Sequence, residues 1–166
     1  MKNVDIKNNI NFFIPKEFCV KCKGCCKFSS KNSRWNFNLT NFEKRKLNDL
    51  YLIKNQDVYQ CSFFKNNLCD KYIKRPFDCK LYPLLLNKKF VFLNNNIIVK
   101  YQLILDTDNC EYALYNQLDS INQANQILKQ IDINLLKKNK QLFSNYNNIN
   151  SILINTLFYE YKTRNN

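Results

Sequence analysis

Four cysteines packed into Cys19-Val-Lys-Cys22-Lys-Gly-Cys25-Cys26 are the residues of this chain best suited to chemistry. Four more follow, Cys61, Cys69, Cys79 and Cys110, and the chain has no histidine. Thiols acting together make an all-sulfur site, because thiolate is the soft ligand that selects zinc, copper(I) or iron–sulfur clusters. A Cys-x-x-Cys-x-x-Cys run lets three thiolates converge on one centre from a single tight loop, whose backbone amides can donate to sulfur. Gly24, the only glycine, falls between Cys22 and Cys25, where it would permit a positive φ or a close backbone approach to the metal.

Cys25 and Cys26 are adjacent, and neighbouring side chains diverge, so the pair points to different metals or to one ligand and one bystander. Two arrangements stay open. In one, Cys19, Cys22, Cys25 and one distal cysteine bind a 4Fe–4S cluster, with the other four at a second site. In the other, eight thiolates form two tetrahedral four-sulfur zinc sites without redox chemistry. The run lacks the Cys-Pro ending of bacterial ferredoxins, and either metal could serve only as a staple for a modest core. Arg75 would donate to a cluster sulfur or an anionic substrate, or pair with Asp70 or Asp78. Phe63, Phe64, Phe77 and Tyr82 would shield the thiols from water, and Trp35 would pack nearby. With no histidine and few carboxylates near the thiols, acid–base hydrolysis lacks obvious machinery.

Cys19-x-x-Cys22-x-x-Cys25-Cys26, then Cys61-Ser-Phe-Phe, Cys69-Asp-Lys-Tyr and Arg75-Pro-Phe-Asp-Cys79-Lys-Leu-Tyr-Pro83, resembles the CxxCxxCC zinc- or iron-chelating family, also called the YkgJ-like cysteine cluster proteins. The resemblance runs from about Cys19 to Cys110. It implies that all eight cysteines are the metal-binding set. Members often follow the last cysteine with Pro-Gly, where this chain has Glu111-Tyr112. The family includes flagellin lysine N-methylases, but a chain with one glycine has no glycine-rich loop for S-adenosylmethionine.

The net charge is +13, from 26 Lys+Arg against 13 Asp+Glu. A basic surface suits nucleic acid, anionic lipid or an acidic protein. Abundant Asn, Lys, Ile, Phe and Tyr with scarce Gly, Pro and Ala also match an AT-rich coding bias, which deposits lysine on tolerant solvated faces. Eight thiolates would lower the charge to about +5, and two divalent ions would return it to about +9. Against that bias the costly residue types gather at the cysteines: Gly24 in the cluster, Arg75, Pro76 and Pro83 around Cys79. No secretory signal or membrane-spanning run is visible, so a cytoplasmic location with reduced thiols is expected rather than a disulfide scaffold.

These thiols need elements to position them. The expected fold class is α+β: a small cysteine-rich metal-bound core with two β-hairpins and a C-terminal helical segment. Residues 1–15 read as an arm, 16–115 as the cysteine-cluster domain, and 116–166 as helices packed on the same domain. Thr40 and Glu43 match a capping box that predicts a helix running through Ile53. Val58–Lys65 and Leu68–Tyr72 read as strands around an Asn66-Asn67 turn, setting Cys61 and Cys69 across or near the ladder. Pro76 opens a short helical turn that carries Cys79. A second hairpin is expected from Lys89–Leu93 and Ile97–Leu105, after which Asp106–Asn109 deliver Cys110. Leu118, Ile121, Ala124, Ile127, Leu128, Ile131 and Leu135 recur at helical steps, as do Ile149, Ile152, Leu153, Leu157 and Tyr161.

The expected function is metal binding through an iron–sulfur cluster, 4Fe–4S favoured, or zinc, in a redox protein or an accessory to a protein-modifying enzyme. An unknown protein partner is expected. Protein-lysine N-methylation and a zinc-stapled nucleic-acid-binding module are the alternatives.

Overall fold

The structure is a computed structural model. It describes residues 14–15, 18, 26–28, 37–47, 50–55, 57–66, 68–70, 72, 75–93, 96–108, 110–146 and 150–163. Cys19, Cys22, Gly24, Cys25 and Trp35, and most of the expected N-terminal arm, lie outside these residues.

A small antiparallel sheet has the order β1 (Lys27–Phe28), β3 (Val58–Cys61), β2 (Leu52–Asn55). Before β2, Thr40 caps α1 (Asn41–Lys46): its hydroxyl accepts the Glu43 N–H at 3.1 Å, and Glu43 Oε2 accepts the Thr40 N–H at 2.9 Å. The capping box is present, but the helix stops at Leu47 instead of running through Ile53. Leu52–Asn55 leaves the helical path because each of its residues pairs with β3, Leu52 opposite Cys61 and Asn55 opposite Val58. Strand pairing overrides local helical spacing there.

The first expected hairpin is divided. β3 ends at Cys61, and a turn through Ser62 and Phe63 leads into β4 (Phe64–Lys65), which pairs with β5 (Leu68–Cys69). Asn66 takes φ 48°, the left-handed conformation that asparagine tolerates. Cys69 therefore faces Phe64, while Cys61 faces Leu52 in the neighbouring sheet. The two cysteines are near neighbours through packing rather than partners in one ladder.

Pro76 precedes α2 (Phe77–Leu81), where its missing N–H costs no helical bond. After a cis Tyr82–Pro83 bond, the second hairpin forms from β6 (Leu84–Leu93) and β7 (Asn96–Asp106), longer at its base than the periodicity predicts. Its inner face carries Leu84, Leu86, Val99, Tyr101, Leu103 and Leu105, all buried. Helices α3 (Glu111–Tyr115), α4 (Gln117–Leu128) and α5 (Ile133–Lys138) follow, and Ala113, Ala124, Ile127 and Leu136 from them join this core. Asp132 caps α5 by accepting the N–H groups of Asn134 and Leu135, which breaks the expected continuous stripe after Leu128. Leu118, expected on the apolar stripe, is 75 % exposed.

The last segment corrects the sequence reading. Residues expected as a second C-terminal helix form β8 (Ser151–Thr163), antiparallel to β7, giving the sheet order β6-β7-β8. Register breaks between Tyr101/Gln102 and Leu103/Ile104 leave extra residues on β8. Each extra residue lengthens a same-face step from two residues to three, so the bulged strand loses the regular alternation that marks a strand. Phe158 stacks on Tyr101 at 4.4 Å, and Phe143 meets both rings edge-on, fixing β8 to the core. The α+β class and the two hairpins stand; the helical part of the C-terminal region ends at Lys138, followed by the 3-10 turn Lys140–Leu142.

Candidate metal centre

Five of the eight cysteines fall among the described residues; four of them divide between two apolar clusters, and Cys79 belongs to neither. Cys61 is buried with Leu50, Phe63 and Phe64, and Cys26 and Cys69 pack against that group. The Cys61 N–H donates to the Cys26 carbonyl oxygen at 3.0 Å, which extends the β1–β3 ladder by one row. The Asp70 N–H donates to the Phe63 oxygen at 2.7 Å, folding Cys69 back toward Cys61. Phe63 and Phe64 are each 6 % exposed, so two of the four aromatics expected to shield the thiols stand beside Cys61.

Cys110 belongs to the main core, 4 % exposed, in the same cluster as Phe77, Leu81 and Leu105. Phe18, the residue before Cys19 in sequence, packs on this cluster with its ring edge-on to Tyr112 at 5.2 Å. The Tyr112 hydroxyl bonds to Asp119, and that bond, with burial and the nearby Cys110 adding smaller pushes, raises its pKa to about 12.

Cys79 lies on α2, whose Phe77 and Leu81 enter the main core. The helical repeat turns Cys79 ~200° from both, away from the core that holds Cys110. What anchors the start of α2 is α1 and the segment before it. Asp78 Oδ2 accepts the Asn38 N–H at 2.8 Å, and Glu43 Oε1 accepts the Phe77 N–H at 2.6 Å. Phe37 and Leu39, flanking Asn38, pack against the Cys61 cluster. Burial pushes the Asp78 carboxyl up to about 7 against the pull of its Asn38 bonds, with the charge of Glu43 a smaller push upward.

Arg75 lays its guanidinium over the Tyr72 ring at 4.3 Å. Of the carboxylates expected near it, Asp70 faces Lys65 at 3.7 Å and Asp78 accepts from Asn38. Phe77 is buried and Tyr82 partly buried against the main core, on the Cys110 side. Gly24, Cys19, Cys22 and Cys25 lie outside the described residues.

Sequence reasoning missed Asn38, Glu43 as a ligand of α2, and the Phe18–Tyr112 contact. The capping box marked Glu43, but the partner of its second oxygen lies beyond any local pattern. Beside the small cluster, Leu39, Lys44, Tyr51, Leu52 and Gln141 border an open cleft of about 510 Å³.

The donor chemistry suits a soft metal, since the groups in apolar surroundings are thiols. Among the described residues, no three Cys, Asp or Glu side chains come within ligating reach of one point. No helix among them is long and apolar enough to cross a membrane.

A family model described as a zinc- or iron-chelating domain, CxxCxxCC, matches residues 18–102. The match takes in seven cysteines and ends before Cys110. No curated protein and no solved structure matches the chain significantly.

Proposed function

Because the chain belongs to the CxxCxxCC zinc- or iron-chelating domain family, we propose that its eight cysteines hold two separate metal–thiolate centres in one small metalloprotein. The observation that carries this reading is the segregation of Cys61 and Cys110 into different apolar clusters. Cys26, Cys61 and Cys69 share one cluster, and Cys79 is tied to its edge through Asp78, Asn38 and Leu39. No three of these thiols yet come within reach of one point, so the four would hold one centre only by closing together as the metal binds. Cys19 follows Phe18, which packs on Tyr112 in the cluster that holds Cys110, so Cys19, Cys22, Cys25 and Cys110 would hold the other.

The division also suits the adjacent pair, since Cys25 and Cys26 then serve different centres. The CxxCxxC run favours a 4Fe–4S cluster at the Cys110 centre, and a closed four-sulfur set favours zinc at the Cys61 centre. A cluster would supply one-electron transfer; zinc would supply only rigidity. The chain's own residues keep water away, with Phe63 and Phe64 on one side and Phe77 and Tyr112 on the other. Such a pair of centres would serve a redox role or support a protein-modifying enzyme.

Anaerobic purification, elemental analysis and a visible spectrum test this, read on the unaltered chain and on Cys61→Ser and Cys110→Ser. Cys110→Ser should abolish charge-transfer absorption and keep zinc, and Cys61→Ser should do the reverse. Loss of all metal in both variants would show a single centre. A colourless unaltered protein with two zinc ions would remove the cluster.

A further inference from the structure

Beyond the cysteines, the distal half of the β6-β7-β8 sheet presents a face that the metal centres do not use. Paired residues of a sheet share a face, so the ladder sets out its rows directly. Lys89, Lys100 and Tyr159 form one row, and Val91, Ile98 and Tyr161 form the next. Tyr159 is 52 % exposed and Tyr161 76 % exposed, two rings at i and i+2 on one strand. Strand rise separates them by about 6.8 Å. The Lys100 ammonium stands 6.0 Å from the Tyr159 ring, so cation and aromatic are neighbours on the same surface.

Among the described residues, charge on the paired positions of this face has one sign. Neither β6 nor the paired part of β7 before Asp106 contains a carboxylate, and Asp106 is fully buried at the far end of the sheet. Glu160, the carboxylate nearest the tyrosines, lies on the opposite face, held by Lys140 and the Tyr101 hydroxyl. The outer face therefore offers flat rings flanked by ammonium groups, with no carboxylate among its paired residues to repel an anion.

From this juxtaposition we infer that Tyr159, Tyr161, Lys89 and Lys100 form a binding surface for single-stranded nucleic acid. Bases stack on exposed aromatic rings whatever their sequence, and lysines track the phosphates between them. Sheet faces with two or three aromatics are a general solution for unpaired strands, whose bases are free to splay outward. A bare polyanion would use the lysines but not the rings, and a duplex hides its base faces. The surface uses none of the eight cysteines, and its two tyrosines, on β8, lie beyond the residues matched to the chelating family.

Fluorescence anisotropy of metal-loaded protein with a labelled short oligouridine tests the surface at about 50 mM salt, where phosphate contacts are weakly screened. The chain should bind, and the Tyr159→Ala/Tyr161→Ala pair should weaken binding ~10-fold or more. Tyr159→Phe/Tyr161→Phe should retain most of the affinity, because the ring and not the hydroxyl stacks. Lys89→Gln/Lys100→Gln should flatten the slope of log affinity against log salt by about 1.4, two phosphate contacts' worth for a single strand. Both pairs sit on an exposed face, and circular dichroism checks that each variant keeps its fold. No binding, or an alanine pair that binds as well as the unaltered chain, overturns the inference. So does binding to phosphatidylserine vesicles or heparin without binding to the oligonucleotide.

Discussion

Cys61 and Cys26 are joined backbone to backbone: the N–H of one donates to the carbonyl of the other at 3.0 Å. The bond continues the pairs Lys27–Gln60 and Phe28–Tyr59, so the end of the cysteine run is held by a β-ladder. Two thiols far apart in the chain are thus brought to one apolar cluster by ordinary strand pairing.

Metal removal should act unevenly. Anaerobic treatment with a strong chelator is expected to strip amide protection from β3 and β5, whose shared cluster is small, before it affects β7. Hydrogen exchange followed by mass spectrometry reads this. Equal loss across β3, β5 and β7 would mean that the centres staple the whole fold rather than the cysteine region.

Glu43 is a junction. One carboxylate oxygen accepts the Thr40 N–H and hydroxyl, and the other accepts the Phe77 N–H. Glu43→Ala would leave these donors unsatisfied, with Thr40 only 1 % exposed, and should cost about 2–4 kcal/mol. Urea unfolding of the metal-loaded protein should show a lower midpoint with an unchanged slope. A loss below about 0.5 kcal/mol would mean that water replaces the carboxylate, as at an ordinary surface position.

Stability should fall at both ends of the pH scale through one network. The ion pair with Lys140 is the largest cause holding the Glu160 pKa below its ordinary 4.5. Its contribution is therefore complete above pH 4.5 and fades as pH drops through the lowered value. Lys140→Met should flatten that acid limb, by no more than ~1 kcal/mol for so exposed a pair. At the other end, burial first, then the bond to Glu160, raises the Tyr101 pKa from 10.0 to about 12. That stabilisation is whole below pH 10 and is lost as pH climbs from 10 to about 12. Tyr101→Phe should shrink the alkaline loss, measured as unfolding free energy against pH, and leave the part due to Tyr112.

Two leucines separate core from surface. Leu103 is fully buried in the main sheet, and Leu103→Ala should cost about 2–5 kcal/mol through lost contacts and a residual cavity. Leu118 is 75 % exposed despite its place in the helical pattern, and Leu118→Ala should change stability by less than ~0.5 kcal/mol. Thermal denaturation distinguishes the two; comparable losses would put α4 against a surface through its Leu118 side.

The sequence by itself determined the features whose causes are local. Thr40 and Glu43 announce the start of α1, Pro76 the start of α2, and Asn66 a turn, because each acts on backbone groups within a few residues. The cysteine spacing likewise announces the chelating family, since ligand type and loop length constrain metal chemistry directly. Tertiary structure alone decided the rest. Leu52–Asn55 and Ser151–Thr163 became strands because β-ladder bonds come from partners distant in the chain, and the irregular pairing of β8 disguised its period. The same nonlocal packing set Cys61 with Cys26 and Cys69, and Cys110 with Phe77 and Leu81. Spacing can count thiols and set the reach of a loop, but which thiols share a centre depends on how separate elements pack.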